Sequence, residues 1–342
     1  MPRYVIVVAA LIVGCVPLAS GPTPSTVSPS PTPQLSSLAT PSPSIATPAG
    51  ILYPSVSAIS APSATVVWVV TDDARLFRST DQGNHWEERT MPAHPPTRRD
   101  SISFVNEQEG WFLNGFTPGT QCQQQAFELW HTTDAAATWA SLVQVSPGPG
   151  ANGISFGQCK GALSFADPLR GLLPAMDTTT PPTIYRTGDG GQNWTGQRIP
   201  DPPGFTTSGG GNALQPGRAS WFGSTILFDA LTYVEGKPNR HVLRSNDAGK
   251  TWAQVRIVAD ATQPIVFVTP IRWLRFAGPA VETIDQGLTW HAYVTDYQQG
   301  AVPVAPNVVF AGPSVGYAAA RFSLQRTVDG GEHWTALGMP GL

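Results

Sequence analysis

Lysine is nearly missing from this chain. Lys160, Lys237 and Lys250 are the whole complement of a 342-residue sequence. Charged residues of all kinds reach only 13%, and the formal net charge is -3. With no basic face available, an electrostatic footprint for nucleic acid is excluded. Helical periodicity is also missing: no amphipathic run with 3.6-residue spacing persists beyond the first residues. No Gly-x-Ser-x-Gly elbow occurs, and Gly209-Gly210-Gly211 lacks the Lys and the following helix of a phosphate loop, so it reads as a flexible connection. The six histidines (His85, His94, His131, His241, His291 and His333) show no metal-ligand spacing. Neither a metal nor a cofactor is expected.

What the chain does have is 34 Gly, 34 Pro and 11 Trp. Few charges among many turn formers, Thr and Trp indicate short strands joined by turns. The N-terminus reads differently. Arg3 precedes a short apolar run, Tyr4 to Val13, which is too short for a comfortable membrane span. The run ends in Leu11-Ile12-Val13-Gly14-Cys15, which resembles the lipobox of bacterial lipoproteins. That resemblance implies cleavage before Cys15 and a diacylglyceryl thioether on it. Residues 16–50 are almost entirely Pro, Ser, Thr and Ala, a composition that buries too little apolar surface to fold and stays extended. The expectation is a leader at 1–15, a disordered tether at 16–50 and a folded domain at 51–342, exported and anchored by lipid at the outer face of a bacterial cytoplasmic membrane.

Three cysteines are present. With Cys15 carrying lipid, Cys122 and Cys159 remain. An even pair in an exported protein favours one disulfide, and two separate thiols are the alternative.

One octapeptide recurs, Ser/Thr-x-Asp-x-Gly-x-x-Trp. Its copies run from Ser79 through Asp81 to Trp86, from Thr187 through Asp189 to Trp194, and from Ser245 through Asp247 to Trp252. Two more run from Thr283 through Asp285 to Trp290 and from Thr327 through Asp329 to Trp334. A degenerate copy spans Thr132, Asp134 and Trp139, with Ala136 in place of Gly. The motif is identified as the Asp-box, or BNR repeat. Asp suits acceptance of backbone N–H groups in a hairpin turn, Gly a positive φ, and Trp burial between neighbouring sheets. Ala136 is expected to strain or reshape its turn.

Successive motif Trp residues are 53, 55, 58, 38 and 44 positions apart. A second recurrent element places an apolar strand before Gly and another strand, as in Ser101–Val105 with Gly110–Leu113, and Val308–Phe310 with Gly316–Ala319. Four strands per repeat predict an all-β propeller of six four-stranded antiparallel blades, at about 54–92, 98–146, 151–200, 208–258, 262–297 and 302–340. Seven blades is the alternative, and residues 50–54 are a candidate edge strand for the last blade.

From about residue 54 onward the chain resembles photosystem II assembly factors of the Ycf48 type, through the Gly110-Trp111 strand start and the Arg-Ser/Thr-x-Asp sequence. Similar propellers occur in sialidases and sortilin-type receptors. The Ycf48-type propellers have seven blades, so six motif copies depart from them. Sialidase chemistry requires three converging arginines, the first in an Arg-Ile-Pro motif at the start of the domain. Here Arg198-Ile199-Pro200 follows the third Asp-box instead. Arg78, Arg186, Arg244 and Arg326 each precede an Asp-box at one repeat position, which reads as blade architecture. No catalytic residue is assigned. The expected function is a monomeric, non-catalytic binding or scaffold module that meets a protein or glycan at a propeller face, with a sialidase-like glycoside hydrolase as the alternative. Long segments at 114–126, 201–217 and 229–240 are the asymmetric features where a partner would be met. Arg98-Arg99, Arg218 and Arg240 read as loop charges, for which surface solvation is the stronger reading and contact with an acidic partner the alternative.

Overall fold

The computed structural model describes residues 56–93, 100–207, 213–276, 279–297, 307–320 and 323–339. The expected leader with Cys15, the expected tether and the candidate edge strand at 50–54 lie outside the described residues, as do Arg98-Arg99 and Gly209-Gly210-Gly211. The chain folds into six antiparallel blades, each wound from a contiguous segment with its strands in sequence order. Blade 1 comprises Val56–Ser60, Val67–Thr71, Leu76–Ser79 and Glu87–Arg89. Blade 2 comprises Ser101–Phe104, Gly110–Gly115, Phe127–Thr132 and Ala140–Val145. In blade 3 the innermost strand is split into Cys159–Lys160 and Ser164–Phe165, both paired with Gly171–Met176; Thr183–Thr187 and Thr195–Arg198 follow. Blade 4 has the same split, Gln215–Pro216 and Ser220–Phe222, against Thr225–Val234, then Lys237–Ser245 and Ala253–Ala259. Blade 5 comprises Val266–Phe267, Trp273–Arg275, Val281–Thr283 and His291–Ala292, and blade 6 Asn307–Phe310, Gly316–Ala320, Ser323–Thr327 and Thr335–Leu337. Among the described residues the one helical turn is the 3-10 turn Thr120–Cys122.

Six apolar clusters lie between consecutive blades. Each takes an Asp-box Trp from one blade and packs it against the blade before it: Trp139 with Trp68 and Leu76, Trp194 with Trp111, Trp252 with Leu172 and Ile184. Trp290 packs with Leu227 and Val242, and Trp334 with Leu274 and Phe276. The sixth cluster joins blade 6 to blade 1, where Trp86 meets Tyr317 and Leu324. Among the described residues the ring therefore closes by side-to-side packing of blades 6 and 1, with no strand exchanged between them. Arg326 reinforces the seam by donating to the carbonyl of Gln82 at 2.8 Å.

The strand-turn-Gly element has a steric cause. Phe104 faces Gly110 across the hairpin, Phe165 faces Gly171 and Phe310 faces Gly316. A Cβ on Gly110 would stand 2.2 Å from the Phe104 ring, so the ring lies flat over the glycine. That pose lets Phe104 stack on Trp68, and Phe165 on Trp111, with centroids 3.7 Å apart in both pairs.

Segment 229–240 is not an interrupting loop. It falls in a long hairpin of Thr225–Val234 and Lys237–Ser245, turned at Glu235-Gly236, which both take positive φ. Thr, Tyr and Val through the outgoing strand favour this extension. Arg240 is consequently a buried strand residue, its Nη1 3.0 Å from Asp229 Oδ2, and not a loop charge.

Candidate functional site

The Asp-box residues build turns and stay apart from one another. In all six copies the first residue's hydroxyl donates to the Asp Oδ1 at 2.7–2.9 Å. The same hydroxyl accepts the N–H of the fifth residue. Oδ1 of Asp81, Asp134, Asp189, Asp247, Asp285 and Asp329 then accepts the N–H of the seventh residue. The seventh side chain bonds Oδ2: His85, Thr138, Asn193, Thr251, Thr289 or His333. The fourth and fifth residues both take positive φ. Ala136 adopts φ 60° and keeps every bond of the motif, so its turn is strained but not reshaped. Hydrogen bonding from the seventh residue holds the Asp81 and Asp134 carboxyls down to about 2. A carboxylate held this low stays ionised at neutral pH and is a weak base.

The Trp rings divide by their N–H groups. Trp139 donates to Thr90 O, Trp194 to Gly191 O and Trp334 to Gly331 O, all at 2.9 Å. The N–H groups of Trp86 and Trp252 are buried without a partner among the described residues. Three of the four arginines that precede an Asp-box clip neighbouring blades: Arg78 reaches Glu107 O, Arg244 reaches Gln286, and Arg326 reaches Gln82 O.

Function has room in the axial channel. Its wall is the six innermost strands, and serines sew the first four together. Ser60 accepts from Phe104 N at 2.9 Å, Ser103 accepts from Phe165 N at 2.8 Å, and Ser164 donates to Ala219 O at 2.9 Å. Asp229 continues the seam into blade 5 by accepting from Ile265 N at 3.1 Å. Burial outweighs Arg240 and pushes the Asp229 carboxyl upward. The larger part of the channel, about 520 Å³, lies toward the Asp-box turns. A smaller part, about 280 Å³, lies where the innermost strands begin, bounded by Ser57, Asp100, Lys160, Arg218 and Asn307.

Arg218 and Asn307 border both parts. Arg218 leaves the break in the innermost strand of blade 4 and donates from Nη1 to Ile59 O, in blade 1, at 2.7 Å. Desolvation lowers its pKa to about 10. Part of its surface stays open to the channel, while the walls hold off bulk water. It is a channel residue and not a loop charge facing a partner. Lys160, on the split strand of blade 3, is buried, and desolvation lowers its pKa to about 8. Its Nζ donates to Gln158 O and sits 5.6 Å from the Phe127 ring. Neither cation is paired with a carboxylate among the described residues. Sequence reasoning passed over Lys160. The available signal was its place beside Cys159 in a chain almost without lysine.

Cys122 and Cys159 are bonded, with Cα atoms 4.9 Å apart, which ties the 114–126 segment to the strand that carries Lys160. Gln125 holds the same strand, its Oε1 accepting from Lys160 N at 2.6 Å. Among the described residues Arg218 is the one arginine bordering the channel, so three arginines do not converge there. Each part of the channel is bordered by one described carboxylate, Asp229 in the larger and Asp100 in the smaller. No described helix is long and apolar enough to cross a membrane.

No family model matches the chain, and no curated protein does. Solved structures do. A structure of YCF48 bound to D1 peptide is 18% identical, covering 81% of this chain and 94% of that one, with a TM-score of 0.45. The GH74 enzyme of Niastella koreensis is 14% identical, covering 82% of this chain but 46% of that one, with a TM-score of 0.48. The GH93 α-L-arabinofuranosidase of Fusarium graminearum with arabinobiose is 12% identical, covering 80% and 89%, with a TM-score of 0.47. Peptide binders and glycan-active enzymes thus stand side by side among the similar structures, and identities this low transfer neither role.

Proposed function

We propose that this chain is an exported binding module without catalytic chemistry, tethered by lipid at Cys15, which presents its propeller face to a protein partner. One observation carries the non-catalytic reading: the channel has no paired carboxylates and no arginine triad among its described residues. Glycoside hydrolysis needs two carboxyl groups set across one bond, and carboxylate-directed sialidase chemistry needs several guanidinium forks. The recurring aspartates supply neither, because their oxygens are occupied within the turns. The lipobox-like leader and the Pro-rich tether support the surface location.

The test uses the full chain made with its own leader in a bacterial host. Fractionation should place it with membranes, and Cys15→Ser should release it. Crosslinking at the cell surface should recover a discrete partner protein. Turnover of any substrate on a panel of acidic and neutral glycans would sink the non-catalytic reading.

A further inference from the structure

Blade 6 breaks the seam that runs around the channel. Ser60 accepts the Phe104 amide of blade 2 at 2.9 Å, and Ser103 accepts the Phe165 amide of blade 3 at 2.8 Å. Ser101 accepts the neighbouring Leu163 amide at 2.9 Å. Ser164 reaches Ala219 O in blade 4, Asp229 accepts the Ile265 amide in blade 5, and Arg218 reaches Ile59 O in blade 1. Among the described residues no side chain bonds a main-chain group of Asn307–Phe310, the innermost strand of blade 6.

The repeat shows why. Phe165 closes its hairpin against Gly171 and Phe310 against Gly316, so Val308 and Phe310 occupy the places of Leu163 and Phe165. Ser103 and Val266 each stand one residue before the pair that closes their own hairpins. Blade 5 therefore carries Val266 and Pro264 where blade 2 carries Ser103 and Ser101, and neither side chain can accept a hydrogen bond. Asn307–Phe310 is half-buried at all four residues, whereas Ser101–Phe104 is buried throughout. The half-buried strand borders the larger part of the channel, about 520 Å³.

We propose that the innermost strand of blade 6 is a docking edge for a short extended polypeptide segment of the partner, which enters the larger part of the channel and pairs with the main-chain groups of Val308 and Phe310. This deepens the binding-module reading and rests on it.

The edge selects the ligand by its main chain. Amides two residues apart along a strand repeat at about 6.7 Å, a spacing that an extended polypeptide matches and a sugar ring does not. Unpaired strand edges are templates for such pairing. The space takes a few residues and not a folded surface. Ala61, Pro62, Pro264 and Ala311 beside the edge are small, uncharged and half-buried, which suits small apolar side chains. Arg218 borders the same space, and its guanidinium N–H groups other than the one given to Ile59 O have no described acceptor, so they can meet a carbonyl of the segment.

Amide exchange followed residue by residue on the full chain tests the edge first. Val308 and Phe310 should exchange about tenfold or more faster than Leu163 and Phe165. Equal protection in the two blades would overturn the proposal, and protection that rises with protein concentration would assign the edge to a second copy instead. The probe is N-acetyl-Ala-Val-Ala-Val-amide, with its fully N-methylated analogue as the contrast. The first should bind saturably at millimolar concentration and slow both amides, and the second should bind about tenfold or more weaker. Val266→Thr keeps the shape and supplies the missing acceptor. It should slow Phe310 in the free chain and weaken the peptide by about tenfold, while Val266→Ala leaves affinity within about twofold. Thermal melts establish that each variant is folded. Equal binding of the two peptides, no binding at millimolar concentration, or equal losses in the Thr and Ala variants would sink the docking edge. If the chain still captures a partner at the cell surface after such a result, the edge fails and the binding-module reading stands.

Discussion

Arg218 reaches across the ring from blade 4 to blade 1, where its Nη1 lies 2.7 Å from the main-chain oxygen of Ile59. Blades 1 and 4 face each other in a ring of six, so this side chain spans the axis and divides the channel into its two parts. A desolvated guanidinium bonded to one carbonyl contributes little to folding, because the lost hydration offsets the hydrogen bond. Arg218→Met should therefore lie within about 1 kcal/mol of the parent chain in denaturant unfolding. A loss of several kcal/mol would show that Arg218 is a structural brace instead of a group kept for a ligand.

The motif hydroxyl should matter more than its place at a surface turn suggests. Thr283 is fully buried, donates to Asp285 at 2.7 Å and accepts the Gly287 N–H at 2.9 Å. Thr283→Val keeps the shape and leaves a buried N–H without an acceptor, at a cost of roughly 1–3 kcal/mol. Thr283→Ser should cost much less. Equal melting temperatures for the Val and Ser variants would remove the hydroxyl from the explanation.

Acid should unfold the ring through its turns. An unfolded Asp titrates near 3.8, whereas Asp81 and Asp134 titrate at about 2 in the folded chain. His85 is the main cause for Asp81, and the Thr138 hydroxyl for Asp134. A lowered folded pKa contributes stability that is complete above the unfolded value and is lost as pH falls through the folded one. Stability should hold down to about pH 4 and then decline steadily to about pH 2. His333 works in the opposite sense: Asp329 raises its pKa, so its contribution is complete below 6.5 and fades as pH rises through the raised value. Melting followed by circular dichroism across the acid range tests this, and a curve flat to pH 2 would refute it.

The octapeptide made blade number, strand order and turn position legible, because its Trp, Asp and Gly roles are local and repeat. The seam between blades 6 and 1 was not legible: it depends on which complete blade Trp86 packs against, and only the closed ring sets that. The seventh motif position hid a rule, since His, Thr and Asn look unrelated until all are seen donating to the Asp. Arg218 and Arg240 read as loop charges because Pro and Gly around them obscured the strands. Their destinations, the channel and a buried pair with Asp229, follow from pairing partners distant in sequence or hidden within a long hairpin.

Gly110 should tolerate no side chain. A Cβ there meets the Phe104 ring at 2.2 Å, and Phe104 is itself held by stacking on Trp68. Gly110→Ala forces the ring off its partner and should cost about 1–3 kcal/mol. Gly188 has nothing within 4 Å of its virtual Cβ, so Gly188→Ala should stay within about 0.5 kcal/mol of the parent. Matching losses at the two glycines would mean that backbone entropy, and not the Phe–Gly contact, sets the cost.

The bond between Cys122 and Cys159 should act mainly on the unfolded chain. It closes a separation of 37 residues, for which loop-closure entropy gives roughly 3–4 kcal/mol. The folded segment has other anchors: Gln125 N donates to Phe156 O at 2.9 Å, and its side chain holds Lys160 N. Replacing both cysteines by Ser should therefore lower the denaturant midpoint sharply, leave the native spectrum unchanged, and abolish any further response to reductant. Mild reduction of the parent should reproduce the variant's midpoint. If the double variant unfolds at the parent's midpoint, then either the thiols are not joined in the protein, or the unfolded chain is already as restricted as the bond would make it. A labelling assay with an alkylating reagent, run before and after reduction, decides between those two.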